Sequence, residues 1–96
     1  MVEIIWEPIE PSSVNKKIKQ QECGYLVIHY GLVRRDVSNE GKTFYIEFEP
    51  TQYTIGELET IATDIKNKWS IEDILIVRRM GKVNIGTVHF QTISYD

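Results

Sequence analysis

Apolar residues recur along the 96-residue chain with two different periods, and these predict five strands and two helices. The order is strand, helix, strand, strand, helix, strand, strand. Such an order is typical of an α+β fold with a mainly antiparallel sheet, here as one domain over residues 1–96. The predicted strands are 2–6, 25–33, 43–49, 73–79 and 87–96.

The strand predicted at 25–33, YLVIHYGLV, is apolar on both of its alternating faces. Two apolar faces favour a central position, where a sheet is covered on both sides. The sequence NEG at 39–41 predicts a turn that joins this strand in a hairpin to the strand at 43–49. In that second strand, TFYIEFE, an apolar residue alternates with a more polar one, which predicts a half-buried strand.

The helix predicted at 54–69 has the clearest pattern in the chain. Thr54 and Glu57 fit a capping box, in which two side chains satisfy the free amide donors at a helix start. The residues expected on its buried face recur at helical spacing. They are Ile55, Leu58, Ile61, Ala62, Ile65 and Trp69.

A shorter helix is predicted after the first strand. Ser12 or Ser13 is expected to cap its start, since serine accepts hydrogen bonds from free amides there. Val14 and Ile18 lie four residues apart and are expected on its buried side. The helix is predicted to end near residues 23–24.

Composition is that of a folded protein, with 42% hydrophobic and 26% charged residues. The net charge of −3 gives no general attraction to nucleic acid or to an anionic membrane, so an anion site must be local. Cys23 is the single cysteine, which rules out a disulfide within the chain and favours a reducing, cytoplasmic location. The first residues do not fit a signal peptide, and no apolar run approaches the roughly 20 residues of a membrane helix.

Motifs for several kinds of chemistry are absent from the sequence. It has no nucleophile elbow, no glycine-rich phosphate loop and no cluster with metal-ligand spacing, so no metal, cofactor or catalytic residue is predicted. His29 and His89 each lie within an apolar strand and are expected to pack or to form hydrogen bonds. Glu47 and Glu49 share one face of a strand, which predicts a solvated surface rather than paired acid–base groups.

Two arginine pairs end predicted strands and are the candidate anion-binding residues. Arg34 and Arg35 end one strand, and Arg78 and Arg79 end another. Strand alternation sends the members of each pair to opposite faces. If the two strands are neighbours, one arginine from each could converge on a phosphate or carboxylate. The alternative is that the arginines are solvated or paired with surface acids.

Three segments together resemble the large, catalytic subunit of molybdopterin synthase. In that family a strand ends in glycine-x-valine-arginine, a helix ends in tryptophan, and a later strand ends in histidine-arginine-x-glycine with a second glycine about five residues on. Here the first pattern is Gly31 to Arg34 and the second ends at Trp69. The third is Arg78-Arg79-Met80-Gly81 with Gly86, where arginine replaces the histidine.

The resemblance implies an α/β hammerhead-type fold and a homodimer that binds a small ubiquitin-like sulfur-carrier subunit at each end. In that family the carrier's thiocarboxylate sulfurates cyclic pyranopterin monophosphate. Arg34 matches the pocket arginine that would meet this anionic pterin phosphate. Arg78, in place of the family's histidine, either adds positive charge near the pocket mouth or lies at the surface. Arg79, Gly81 and Gly86 are expected to form a strand–turn–strand corner, since glycine accepts backbone angles that other residues resist.

Family members continue past the last matching strand into a histidine–arginine pair, a helix and catalytic lysines, whereas the 96 residues end at Asp96. Lys82 does not match those lysines. The 96-residue polypeptide is therefore expected to be noncatalytic alone while it keeps dimerisation or carrier binding. Two alternatives are a working synthase subunit completed by another chain and a small dimeric scaffold that shares only the fold.

Overall fold

The computed structural model describes residues 1–18, 23–34, 44–69 and 71–96. The predicted turn at 39–41 and Arg35 lie outside these ranges. Neither helix in the described ranges is long and apolar enough to cross a membrane. In chain order the elements are β1 (Val2–Ile5), α1 (Pro11–Asn15), β2 (Leu26–Leu32), β3 (Tyr45–Phe48), α2 (Thr54–Lys68), β4 (Asp73–Arg79), β5 (Gly81–Asn84) and β6 (Val88–Tyr95).

Four strands form the main sheet in the order β1-β4-β6-β2. β1 runs parallel to β4, and the other neighbours are antiparallel, so the predicted α+β class with a mainly antiparallel sheet is confirmed. β6, the last strand, lies between β4 and β2, while β1 and β2 are the edges.

The prediction that 25–33 forms a central strand is wrong, because β2 is an edge strand. Most of its apolar residues are exposed, although Leu26 packs against the core. Val27 has 55% of its surface exposed and Leu32 has 52%. Most apolar residues on the two faces of β2 are therefore not buried within this chain.

The predicted hairpin between 25–33 and 43–49 is also wrong. β3 pairs with β5 in a separate two-stranded antiparallel sheet, in which Ile46 lies opposite Val83. β3 is mostly exposed rather than half-buried. β5 occupies part of the stretch that was predicted as a strand–turn–strand corner. Gly81 and Gly86 lie at and beyond its ends with φ of 88° and 78°, as expected for glycines at a chain corner.

One hydrophobic core cluster lies between the main sheet and α1. Leu75 and Val77 of β4 and Ile93 of β6 pack against Val14 and Ile18, which confirms the predicted buried pair. The predicted serine cap is wrong. The helix begins at Pro11 after Glu10, no side chain caps it, and the hydroxyl of Ser13 donates to Glu10 Oε2 at 3.3 Å. The helix also ends at Asn15, earlier than predicted.

The second core cluster lies under α2, whose Ala62, Leu58 and Ile65 pack against Ile74 and Ile76 of β4. This helix was predicted within one residue of its observed end. Only part of the predicted face is covered, because Ile55, Ile61 and Trp69 are each half-exposed.

The predicted capping box at the start of α2 does not form. Tyr53 is the N-cap residue, and the backbone N–H of Glu57 donates to the Tyr53 carbonyl at 2.9 Å. The Thr54 hydroxyl oxygen instead accepts a hydrogen bond from the backbone N–H of Thr51 at 2.8 Å. A turn before the helix therefore uses the side chain that was expected to cap it.

Candidate functional site

Arg78 lies near the end of β4, where the main sheet meets the two-stranded sheet. Its guanidinium carbon is 4.8 Å from the centroid of the Phe48 ring and 5.9 Å from that of Phe90. Both distances are within the range of a cation–π interaction. The two rings therefore hold the positive charge at the junction of the sheets.

A β-bulge in β6 places His89 beside this arginine. Gly31 pairs with Phe90 and Leu32 pairs with Val88, so His89 is the extra residue on its strand. The His89 ring stacks on Phe48 at 4.9 Å and meets Phe90 edge-on at 4.9 Å. The packing role expected for His89 is confirmed, and the bulge aims the imidazole toward Arg78 and the rings.

Burial lowers the pKa of His89, and the positive charge of Arg78 lowers it further. Both causes disfavour the imidazolium form. Its Nδ1 atom is buried and has no hydrogen-bond partner within the described ranges. His89 is therefore a neutral imidazole at neutral pH.

The free energy of unfolding is expected to fall as the pH drops below about 6.5, the ordinary histidine pKa. The folded-state pKa of His89 is lower, so on acidification the unfolded chain takes up the proton first. The loss of stability continues until His89 is also protonated in the folded protein. Urea unfolding of the wild type and of His89→Gln at pH 7.5 and 5.5 measures this. The variant should lose less stability on acidification, and His29→Gln, at an exposed position, should behave as the wild type. Equal losses in all three proteins would contradict the role of His89.

A cavity of about 250 Å³ opens between β3, α2 and the end of β4. Arg78, Phe48 and Met80 line it together with Glu49 and Glu57. The predicted anion-binding arginine thus shares its cavity with two carboxylates. Among the residues that the structure describes, no group of three or more His, Cys, Asp or Glu side chains could hold a metal ion.

Arg79 occupies the other face of β4, because it follows Arg78 directly. Its Nη2 donates to the backbone carbonyl of Lys82 at 3.3 Å, and its Nε is buried without a partner in the described part of the chain. A Cβ at Gly81 would lie 3.2 Å from the Trp6 ring. Arg79 therefore belongs to the corner between β4 and β5, as expected, and is not in the cavity with Arg78.

Arg34 follows β2 and is exposed. The preceding residue fixes the backbone, since the Val33 N–H donates to the Thr87 carbonyl at 3.1 Å and the Gly86 N–H donates to the Val33 carbonyl at 2.8 Å. The Arg34 side chain makes no hydrogen bond or ion pair to any residue in the described ranges. The guanidinium N–H donors of Arg34 are therefore not used by any other residue in the described ranges.

Convergence of one arginine from each pair required the two strands to be neighbours in the sheet, and they are not. β6 separates β2 from β4, so the strands that carry Arg34 and Arg78 are about 10 Å apart rather than adjacent. Both strands are antiparallel to β6, so they run in the same direction and end at the same edge of the sheet. Arg34 and Arg78 therefore lie at the same end of the strands, but they do not lie on neighbouring strands where both could bind one anion.

The sequence interpretation missed the cluster of Phe48, His89 and Phe90 around Arg78. These residues come from β3 and from a bulge in β6, and no local motif marks them. One signal was available. Gly31 has no side chain within a strand of larger residues, which is typical of a place where a neighbouring group approaches the backbone closely. The Phe90 ring fills that place.

Comparison with known proteins identifies the family. The model of the family described as MoaE protein matches residues 4–91. The molybdopterin synthase catalytic subunit of Bacillus subtilis (strain 168) is 29% identical over 85 residues, which cover 88% of this chain and 54% of the relative. That of Drosophila willistoni is 28% identical over 87 residues, which cover 88% of this chain and 23% of the relative. The chain thus spans about half of the first relative and a quarter of the second.

Solved structures share the fold. Molybdopterin synthase from Staphylococcus aureus superposes with a TM-score of 0.84 at 26% identity, over 98% of this chain and 69% of that one. The complex of subunits 1 and 2 of molybdopterin-converting factor from Helicobacter pylori 26695 contains a chain that matches with a TM-score of 0.74 at 16% identity, over 98% of this chain and 64% of that one. This second likeness concerns the fold alone. From the match to residues 4–91 and the shared fold, the chain belongs to the MoaE protein family.

Proposed function

We propose that residues 1–96 form one molybdopterin synthase large-subunit-like domain that acts in molybdenum cofactor biosynthesis in the cytoplasm. The observation that carries this proposal is the family match over residues 4–91. The fold of the Staphylococcus aureus synthase, with a TM-score of 0.84, supports it. In this role the domain dimerises and binds a small sulfur-carrier subunit.

Dimerisation is proposed to use the edge strand β2. An edge strand presents unpaired backbone donors and acceptors, which natural proteins usually cover or blunt. β2 does not carry charge on its faces, and Val27, Ile28 and Tyr30 are all at least a third exposed. A second copy placed along this strand would remove apolar surface from water on both faces of the sheet.

Replacing Val27 with lysine is expected to convert the dimer to a monomer. A charge at this edge cannot enter an apolar interface without a partner. Size-exclusion chromatography with light scattering should give about twice the chain mass of 11.2 kDa for the wild type and the monomer mass for the variant. Ile55→Lys is a matched control, since Ile55 is exposed to a similar extent, 50% against 55%, but lies on α2. A monomeric wild type would contradict the proposal.

Carrier binding is the second part of the proposed role. The Helicobacter pylori structure holds subunits 1 and 2 of molybdopterin-converting factor in one complex, and one of its chains shares this fold. We expect the 96-residue protein to retain the small ubiquitin-like carrier of the same genome in a pull-down. Retention of neither the carrier nor a pterin phosphate at high concentration would overturn the proposal.

Arg34 is proposed to meet the anionic pterin phosphate. The residue is exposed at the sheet edge, with its donors not used by other described residues, and its backbone is fixed by two hydrogen bonds at Val33. A guanidinium can donate two parallel hydrogen bonds to one phosphate. Arg78 lies near the same edge, although the two carboxylates in its cavity oppose a second negative charge there.

The 96-residue polypeptide alone is expected to turn over slowly or not at all. The family resemblance assigns acid–base and covalent chemistry to lysines that match no residue in 1–96, and loss of groups that act together costs orders of magnitude in rate. This expectation concerns the 96-residue polypeptide and not a longer chain that contains it. A reconstitution assay with thiocarboxylated carrier and cyclic pyranopterin monophosphate measures it.

A second candidate is a working synthase subunit whose lysines come from another chain. The available guanidinium of Arg34 favours it, because an exposed arginine without a described partner has no packing role. Addition of a fragment that bears the lysine segment should then restore turnover in the same assay. If the protein dimerises but binds neither carrier nor pterin, it is a scaffold that shares only the fold.

A further inference from the structure

We propose that the cavity between β3, α2 and the end of β4 binds a small amino acid with an apolar side chain. Arg78, Glu49 and Glu57 line the cavity together with several apolar side chains. The proposal rests on this geometry alone and is independent of the role in cofactor biosynthesis.

The size of the cavity restricts its ligand. Its volume of about 250 Å³ is below the range of roughly 300–1,000 Å³ that is common for sites of drug-sized ligands. Four apolar side chains form much of the lining, which suits a short aliphatic group. They are Phe48, Leu58, Ile61 and Met80.

Arg78 supplies the group that recognises a carboxylate. Its guanidinium is oriented by the ring of Phe48 at 4.8 Å, so little further ordering is needed when a ligand binds. Stacking of this kind leaves the N–H donors free, and no hydrogen bond uses them within the described ranges. A planar guanidinium with free donors matches a carboxylate in a two-bond arrangement.

Glu49 and Glu57 supply the group that recognises an ammonium. Both line the cavity, yet neither lies within 4.0 Å of the Arg78 guanidinium nitrogens, because none of the ion pairs in the described residues joins them. The opposite charges thus line the same cavity without forming an ion pair with each other. A ligand that carries both a carboxylate and an ammonium can pair with the guanidinium and with a glutamate at the same time.

This charge pattern selects the class of ligand. A phosphate would bring two negative charges next to two carboxylates, which opposes binding. A simple amine would leave the guanidinium without a partner, and a simple carboxylate would leave the two acids without one. An α-amino acid pairs its carboxylate with Arg78 and its ammonium with Glu57, while an aliphatic side chain contacts the apolar lining.

The test is calorimetric titration of the full 96-residue protein with L-leucine. Saturable binding is expected, and it should weaken about tenfold or more for 4-methylpentanoate, which lacks the ammonium, and for L-leucinamide, which lacks the carboxylate. Glycine, which lacks the side chain, should also bind more weakly. Absence of leucine binding at millimolar concentration, or tighter binding of inorganic phosphate than of leucine, overturns the proposal.

Variants separate the site from general effects. Arg78→Gln and Glu57→Gln should each weaken leucine binding about tenfold or more, whereas Glu59→Gln, on the same helix but outside the cavity lining, should not change it. Thermal unfolding shows whether each variant is folded. If Arg78→Gln is unfolded, Glu57→Gln decides, because Glu57 is exposed on α2 and its replacement leaves the core intact. Unchanged binding in folded Glu57→Gln and Arg78→Gln overturns the proposal.

Discussion

Replacing Leu75 with alanine is expected to lower the free energy of unfolding by about 2–5 kcal/mol. Leu75 is 1% exposed and lies in β4, the strand that pairs with both β1 and β6. It packs in the cluster that joins the sheet to α1, with Val77 and Ile93 as neighbours. Truncation removes buried apolar surface and leaves a cavity that strands paired on both sides cannot easily close.

Urea unfolding measures this loss, and Ile55→Ala is its control. Ile55 is also a branched aliphatic residue, but it is half-exposed on α2. Its replacement should change the free energy of unfolding by no more than about 0.5 kcal/mol. Losses of the same size at the two positions would contradict the central place of β4 in the core.

Replacing Gly31 with alanine is expected to lower the free energy of unfolding by about 1–3 kcal/mol and to displace the Phe90 ring. A Cβ built at Gly31 would lie 2.0 Å from Phe90 Cε1, which is far inside van der Waals contact. The ring cannot move without loss, because it contacts His29, His89 and Arg78. The glycine of the family-like pattern at 31–34 thus makes room for a ring of the candidate site.

Gly56→Ala is the control for this variant. A Cβ at Gly56 would meet nothing within 4 Å, and Gly56 lies inside α2, where alanine is favoured over glycine by about 0.5–1 kcal/mol. This variant should therefore be more stable than the wild type. The double variant Gly31→Ala, Phe90→Ala should be less stable than the wild type but should show no further cost from the alanine at 31. A full additional cost would contradict the contact with Phe90.

Local patterns in the sequence correctly predicted the elements whose secondary structure follows from the spacing of their own apolar residues. The segment 73–79 was predicted as a strand and forms β4, and α2 follows from its apolar spacing. Val14 and Ile18 were correctly expected to be buried. The capping predictions at Ser12 or Ser13 and at Thr54 were wrong, since a hydrogen bond from one side chain is easily replaced by a backbone turn.

Strand neighbours could not be predicted, because they depend on contacts distant in sequence. The residues of β2 are apolar on both faces, and the same pattern fits a covered central strand and an edge strand exposed to a partner. β3 pairs with β5 and not with β2, although β2 is the strand that precedes it. The short strand β5 begins at Gly81 and ends before Gly86, and these two glycines predicted only the corner of a strand–turn–strand unit.

The candidate site was predicted in part. Strand alternation correctly sent Arg78 and Arg79 to different surroundings, one against Phe48 and one at the carbonyl of Lys82. The proposed meeting of Arg34 with the second pair required adjacent strands, and β6 lies between them. The role of Gly31 became clear only with the position of Phe90, which a bulge in β6 determines.

Calorimetric titration of the 96-residue protein with the small ubiquitin-like carrier of the same genome tests the proposal that this chain binds a sulfur carrier as a synthase large subunit. We expect saturable binding with one carrier per chain and an affinity in the micromolar range or tighter, about −8 kcal/mol or more favourable. If the protein is folded and does not bind the carrier at a concentration roughly a hundredfold above the micromolar range, the proposal is contradicted.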